Sequence, residues 1–474
     1  MTTLPFMNVN VKLLMKMKNK SLLFNNKYFN YILNYPYLYI TLLFFIFNVI
    51  PILINLFSGK PLFISGESYY HLYFAQEVTW QTFYYYPLNL LDKLLSVNLM
   101  IIVPLLLSLT SLYLYLWLAK KKNFSLELTM LFLTILIISP SIFFNLTNLS
   151  IHLLIVLLTI CGFLLLCKES RLRYFSLIPF ILATVFDLTS SIVIILLLSA
   201  EIYFNKRKNY AILIITFIAV LINAIIFKLP FVIGPFYLGK HLPELISDFG
   251  GLGGISFFTV LLALIGIGTM WKKRSFISAY FFLLFTIIAF IINIQALFYL
   301  VITLSFFAAV GIKSIFQRKW TLNSLKKFTF FIVTLGLIFS TLAYLDRIDE
   351  FGPSKEDQQL LTLMEEELEG TVEDEDKIFS LPEESYFVSY FSNRDSFYYP
   401  HYKKDYRENV NLIISSTNIM NTFPILEGND VNVIYISEHS KRTLPSENGL
   451  LFLLRNERFK LIQSSGNAEV WIFK

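Results

Sequence analysis

A carboxylate and an imidazole stand four residues apart at Glu67 and His71, in the run Leu62-Phe63-Ile64-Ser65-Gly66-Glu67-Ser68-Tyr69-Tyr70-His71-Leu72-Tyr73. On a helix this spacing places both on one face. Glu67 could then serve as a general base or a metal ligand, and His71 could orient a phosphate or a sugar hydroxyl. The plainer alternative is an interfacial segment whose polar groups meet only water and lipid headgroups. Tyr84-Tyr85-Tyr86-Pro87 follows, and aromatic clusters of this kind mark the membrane–water boundary. A second polar run, Phe236 to Gly254, holds Lys240, His241, Glu244 and Asp248 ahead of Gly250-Gly251-Leu252-Gly253-Gly254. Glycine-rich loops can close over phosphate or sugar, but neither Walker nor dinucleotide spacing is present, and a flexible connector is the competing reading.

The elements that must position these residues are dictated by composition. Of 474 residues 56% are hydrophobic and only 15% charged, against about 25% charged in soluble domains. Such a chain has more apolar surface than one core can hide, so lipid is its solvent. Cys161 and Cys167 lie in one apolar run, too few for a disulfide scaffold or a zinc site, and read as small apolar side chains. The net charge of +6 matters less than its distribution in short Lys/Arg clusters between apolar runs.

Apolar runs predict spans near 36–56, 95–118, 127–148, 150–167, 209–228, 255–271, 276–293, 296–312 and 326–344. The stretch 174–204 is broken at Asp187-Leu188-Thr189 and has basic clusters at both ends, so it reads as two short helices meeting at Asp187. Asp187 itself is either a helix cap or an intramembrane charge of the kind that marks a transport path. The expected total is about eleven membrane helices. Every second loop is basic: Lys120-Lys121-Lys122, Lys168 with Arg171 and Arg173, Lys206-Arg207-Lys208, Lys272-Lys273-Arg274, and Lys313 to Lys327. This alternation predicts a multi-pass cell-membrane protein with a cytoplasmic N-terminus and an extracytoplasmic C-terminal end. The expected domains are a basic cytoplasmic segment 1–35, a membrane domain 36–345 and a small extracytoplasmic α/β domain 346–474. In the last, strands are predicted at Lys377–Leu381, Asn411–Ile414, Asn432–Ser437 and Leu450–Leu454, with a hairpin turning at Ser465-Gly466-Asn467.

Glu67-Ser68-Tyr69-Tyr70-His71 resembles the first outer loop of the GT-C membrane glycosyltransferases, most of all the archaeal oligosaccharyltransferase catalytic subunits. Ile246-Ser247-Asp248 is similar to the acidic motif of that family's fifth outer loop. Ile378 to Arg394 resembles the segment carrying the family's acceptor-reading Trp-Trp-Asp-Tyr-Gly motif, although that motif is absent and Glu383-Glu384-Ser385-Tyr386 stands roughly in its place. The family's Asp is Glu67 here, its following Arg is Tyr73, and Asn145 to Ser150 lacks the carboxylates expected after the third span.

The resemblance implies a GT-C-like membrane domain that transfers a sugar or oligosaccharide from a polyprenyl-phosphate-linked donor to an acceptor protein or glycan on the outer face. Glu67 would activate the acceptor, and Asp248 would be a second metal ligand or a support. His71 and Lys240 would balance phosphate charge, with His241 a weaker candidate. Tyr69, Tyr70 and Glu244 complete the substrate-binding set. Glu67 and Asp248 could hold Mg²⁺ or Mn²⁺, or the reaction could run without metal. The implied partners are the lipid-linked donor, membrane lipid and the acceptor, with no nucleic acid. Two alternatives stay open: an inactive GT-C-like subunit that binds glycolipid or a partner, and a transporter of lipid-linked glycan or solute.

Overall fold

The computed structural model describes residues 34–57, 61–63, 66–76, 86–94, 97–168, 171–205, 210–226, 245–249, 254–273, 276–292, 296–318, 320–347, 352–368, 376–382, 384–399 and 407–473. They form two compact units. One comprises Met1–Pro51 with Ile102–Asp346, the other Ile52–Ile101 with Arg347–Lys474.

The first unit is helical. In chain order it contains Pro36–Phe44 with a π-turn Phe45–Val49, Ile102–Lys121, Leu126–Ile138, Pro140–Thr147, Ile151–Leu166, Leu177–Ala183, Leu188–Asn205, Tyr210–Ile226, Phe257–Met270, Ile277–Ile292, Leu297–Gln317 and Asn323–Arg347. Each expected apolar run in this unit is helical; several helices are shorter than their runs, whereas Leu297–Gln317 and Asn323–Arg347 extend beyond the expected 296–312 and 326–344. Among the described residues, three are long and apolar enough to cross a membrane: Ile102–Lys121, Leu297–Gln317 and Asn323–Leu345. The expected total of about eleven membrane helices is met in part, and the cause of the shorter pieces is local. Ser139-Pro140 divides the expected 127–148 span, because proline cannot donate to a continuing helix and starts a new one. Ile277–Ile292 has 16 residues, about 24 Å at 1.5 Å per residue, against a hydrocarbon core of about 30 Å. Large apolar side chains face outward along these helices, including Phe328, Phe331 and Phe339 at 59%, 60% and 69% exposure, which suits a surface solvated by lipid.

Leu297–Gln317 is the centre of this unit. Its Leu300, Val301, Phe307, Ala308, Ala309 and Val310 are all buried. It meets Phe257–Met270 at backbone contact. A Cβ on Gly266 would stand 1.9 Å from the Phe307 carbonyl oxygen, and one on Gly311 would stand 2.1 Å from that of Leu262. Small residues at such a crossing let two helices gain dispersion contacts along their length.

Many polar groups inside the bundle are paired within it, as a medium without water favours, although the buried hydroxyls of Ser139, Thr159, Ser278 and Ser305 have no hydrogen-bond partner among the described residues. Ser108, Thr129 and Thr216 donate to the carbonyl four residues back. Thr341 donates to Ile138 O at 2.7 Å, satisfying a carbonyl left open where Leu126–Ile138 ends. Lys122 and Glu201 form an ion pair at 2.7 Å with side chains only 11% and 3% exposed; removing one partner of such a pair costs about 3–5 kcal/mol.

The second unit carries a four-stranded sheet of β1 (Lys377–Phe379), β2 (Val431–Ile436), β3 (Phe459–Ser465) and β4 (Ala468–Phe473), in the order β1-β2-β4-β3. β1 runs parallel to β2, and the other pairs are antiparallel. The β3–β4 hairpin turns at Gly466-Asn467, with Gly466 at φ +57°, as the sequence predicts. Two expected strands are corrected. Asn411–Ile414 lies inside the helix Arg407–Ser415, and the run beginning at Leu450 is the short helix Leu450–Leu453. Short apolar runs do not distinguish strand from helix by period. Val410 and Ile413, three residues apart, are buried while Leu412 is exposed, a helical pattern.

Gly266→Val is expected to abolish the folded, monodisperse protein or lower its melting temperature sharply, whereas Gly268→Val, where an added Cβ meets nothing within 4 Å, is expected to be tolerated. Size-exclusion chromatography and a thermal melt of the two variants check this pair.

Candidate functional site

The acidic motif of the first polar run falls on the helix Gly66–Gln76, within the second unit. Glu67 and His71 are one turn apart on it, as the spacing predicts; the side chains of Glu67 and Tyr70 lie outside the described residues. Ser68, Tyr69, His71 and Leu72 are buried, at 0%, 1%, 4% and 0% exposure. What buries this helix is the segment 378–399. The Tyr69 ring lies 5.5 Å from that of Tyr390, 4.9 Å from Phe391 and 5.9 Å from Phe63. Burial raises the Tyr69 phenol far above its ordinary value, with a further push from Tyr390. Tyr69 is thus a packing group for the helix. Tyr73 donates a hydrogen bond to Asp395 Oδ1 at 2.8 Å, and Phe74 packs edge-on to Tyr399 at 6.1 Å. On the helix's other flank, Asn89 of Tyr86–Leu94 donates to Ala75 O at 2.5 Å.

The segment that receives this helix is itself fixed. Ser385–Ser392 ends at Asn393, in the left-handed conformation (φ +52°). The chain then bonds to β1, with Ile378 N–H donating to Asp395 O and Phe397 N–H to Ile378 O. Asp395 is therefore tied to the sheet edge before Tyr73 reaches it. Ser389, Ser396 and Tyr399 form a buried hydroxyl cluster, in which Tyr399 contacts Ser389 Oγ at 2.7 Å and accepts from Ser396 N–H at 3.0 Å. Burial pushes the Tyr399 phenol up from 10.0 to about 12, opposed by the hydrogen bonds from Ser389 and Ser396 and aided by the nearby Asp395 carboxylate.

Glu384, at the start of the helix Ser385–Ser392, is 3% exposed. Its carboxylate accepts from Ser437 Oγ and, at 2.8 Å, from Ser440 Oγ. Tyr386 is buried and stacks on Tyr399 at 5.9 Å. Both serve the interior of the domain.

In the first unit, Asp248 sits on a one-turn 3₁₀ segment, Ser247–Phe249, and is exposed. Its Oδ2 accepts from Phe257 N–H at 2.6 Å, and its Oδ1 accepts from Ser340 Oγ, which in turn accepts from Ser256 Oγ at 2.9 Å. Asp248 thus joins the polar loop to the first residue of Phe257–Met270 and to Asn323–Arg347. A carboxylate oxygen accepts two bonds, so each retains one lone pair for a metal or a hydroxyl. That fits one carboxylate of a Mg²⁺ or Mn²⁺ site, whose other ligands are commonly phosphate and water. Among the described residues there is no cluster of three or more His, Cys, Asp or Glu. Lys240, His241 and Glu244 lie outside the described residues.

Asp187 is a helix cap. Oδ1 accepts from Thr189 N–H at 3.2 Å, and Oδ2 from Ser190 N–H at 2.7 Å and Ser190 Oγ at 2.6 Å. Asn145 and Asn148 likewise serve the turn after Pro140–Thr147, donating to Ser141 O and Phe144 O. Sequence reasoning missed Asp395 as the partner of Tyr73 and Ser340 as the partner of Asp248. The separations of 322 and 92 residues leave no local signal for either.

Two measurements test this local architecture. Tyr73→Phe removes one hydrogen bond to a carboxylate, and a loss of about 0.5–1.5 kcal/mol is expected in the denaturant stability of the second unit. The second concerns pH. The neutral Tyr399 phenol is favoured by folding, so its contribution is complete below pH 10 and is lost as pH rises from 10 towards 12. Tyr399→Phe is expected to make the alkaline fall in stability shallower, by up to about 3 kcal/mol across that window, measured by denaturant melts at pH 9 to 12.

Neither a family model nor a curated protein matches this chain. Solved structures do. The apo form of the Archaeoglobus fulgidus oligosaccharyltransferase aligns over 87% of this chain and 70% of its own, at TM-score 0.52 and 12% identity. The same protein tethered by a disulfide to an acceptor peptide containing the NVT sequon aligns over 74% of this chain at TM-score 0.50 and 10% identity. This chain spans 60% of the length of that relative. At such identities the likeness is one of fold, and the fold is that of an archaeal oligosaccharyltransferase.

Proposed function

We propose that this protein is a membrane glycosyltransferase that moves a sugar or oligosaccharide from a polyprenyl-phosphate-linked donor to an acceptor on the outer face of the membrane. The observation that carries the reading is the fold likeness together with the place of the acidic motif: the helix bearing Glu67 is packed into the C-terminal unit, against the segment that resembles the acceptor-reading one. In this reading residues 36–345 are the membrane domain and 346–474 the extracytoplasmic domain, with 1–35 cytoplasmic.

The chemistry is displacement at the sugar C1. The acceptor nucleophile forms the new bond to C1 as the bond to the lipid phosphate oxygen breaks. Glu67 takes or polarises the acceptor proton. The departing phosphate needs positive charge, for which Lys240 is the first candidate and His241 the second. His71, buried on the next turn, positions the helix rather than meeting the phosphate directly. Tyr69 does the same through its ring contacts, and Tyr70 and Glu244 remain candidates to meet substrate. A divalent ion, where used, would neutralise phosphate charge, and Asp248, which keeps open lone pairs, is a candidate carboxylate ligand.

A second reading, an inactive subunit that binds glycolipid, is favoured by Glu384 and Tyr386. Both are committed to the domain interior and are not placed to read an acceptor.

Sugar transfer from a polyprenyl-linked donor in proteoliposomes, with mass-spectrometric detection of product, separates the two. Glu67→Gln is expected to reduce transfer by roughly a thousandfold, the middle of the range for a lost general base. Asp248→Asn is expected to lose roughly a hundredfold, and Ser340→Ala, which only loosens Asp248, roughly tenfold or less. Full activity in Glu67→Gln would overturn the assigned role. Donor binding without turnover by the native protein would establish the inactive subunit.

A further inference from the structure

We propose that the helical unit holds one anionic phospholipid, with its headgroup phosphate on Lys273 and Arg318 at the basic end of the bundle and its acyl chains in the cavity behind them. The inference does not depend on the sugar-transfer reading.

A cavity of about 920 Å³ lies between the helices of this unit, at the upper end of the roughly 300–1,000 Å³ of small-molecule sites. Its walls are apolar over most of their length, with Leu112, Phe132, Val156, Leu197, Ile302 and Phe306 among them. Its mouth is basic. The turn after Ile102–Lys121, the end of Phe257–Met270 and the end of Leu297–Gln317 bring Lys122, Lys273, Lys313 and Arg318 to the cavity lining. Two of these four are already neutralised, Lys122 by Glu201 at 2.7 Å and Lys313 by Glu127 at 3.3 Å. Those pairs also tie the helix ends together and so hold the mouth in shape. Among the described residues, neither Lys273 nor Arg318 is paired with a carboxylate.

An apolar cavity behind two uncompensated cations is complementary to an amphiphile with a negative head. A free anion could use the cations but gains nothing from the apolar depth. A zwitterionic lipid brings its own cation to a mouth that is already positive. An acidic phospholipid satisfies both parts, and basic groups near a bilayer surface attract such lipids by about 1 kcal/mol each. The depth also fits. Ile102–Lys121 and Leu297–Gln317 are of membrane-spanning length, so residues just past their basic ends stand at headgroup level. Asp248 bonds to the first residue of Phe257–Met270, and Lys273 follows the last, so the proposed lipid site is at the opposite end of the bundle from the candidate catalytic acid.

The test is native mass spectrometry of the full-length protein released from nanodiscs of phosphatidylcholine mixed with phosphatidylglycerol. One retained phosphatidylglycerol per chain is expected, favoured over phosphatidylcholine by roughly tenfold or more. The double variant Lys273→Gln/Arg318→Gln should lose that preference, and Val156→Trp, which fills the cavity wall and leaves the cations in place, should lose the retained lipid. Lys327→Gln, an exposed cation at the same end that does not line the cavity, should behave as the native protein. Equal retention of the two lipids by the native protein would overturn the proposal whether or not the variants fold. So would undiminished preference in a folded double variant, or thermal stabilisation by inorganic phosphate equal to that by phosphatidylglycerol.

Discussion

The backbone contact between Gly266 and Gly311 is the constraint on which the helical unit depends. It sets Phe257–Met270 against the largely buried Leu297–Gln317, and no residue with a Cβ fits at either position. Asp248 is placed by this crossing, because the N–H it binds is that of Phe257, the first residue of one of the two helices. The cavity is placed by it too, since Ile265 and Thr269 of one helix and Ile302 and Phe306 of the other line its wall. A shift of this crossing would move a candidate catalytic acid and a candidate lipid site together.

In the second unit the comparable role belongs to aromatic packing. The helix Gly66–Gln76 is far in sequence from the tail, yet its buried face is covered by Tyr390 and Phe391, and Tyr73 closes the contact on Asp395. An enzyme that activates an acceptor with a residue on this helix would gain from such rigidity, because misplacement of a base by an ångström costs orders of magnitude in rate. Glu384 and Tyr386 are interior residues, held by Ser437, Ser440 and Tyr399.

Many polar residues within the helical unit are answered from inside it. Asp187 caps the helix Leu188–Asn205, and Ser190, which donates to it, accepts from Tyr299 at 2.5 Å. This removes the observation that made Asp187 a candidate for a transport path. Asn145, Asn148 and Thr341 do the equivalent work at helix ends opened by Pro140. Breaking the chain into short helices creates more open carbonyls and N–H groups, and the unit meets them with side chains because lipid offers none.

The sequence by itself determined where the apolar helices run, where Asp187 interrupts them, that the tail leaves the apolar regime, and that Glu67 and His71 would share a face if their segment were helical. These follow from composition, period and local hydrogen bonding, which depend on neighbours within a few residues. Only the tertiary structure decided that the first polar run folds with the tail, that Asp248 is held by Ser340, that Tyr69 and Glu384 face inward, and that Arg407–Ser415 and Leu450–Leu453 are helices rather than strands. Each of these turns on a partner tens or hundreds of residues away. Burial is a property of the assembled surface, and a residue's own neighbours in the chain do not encode it.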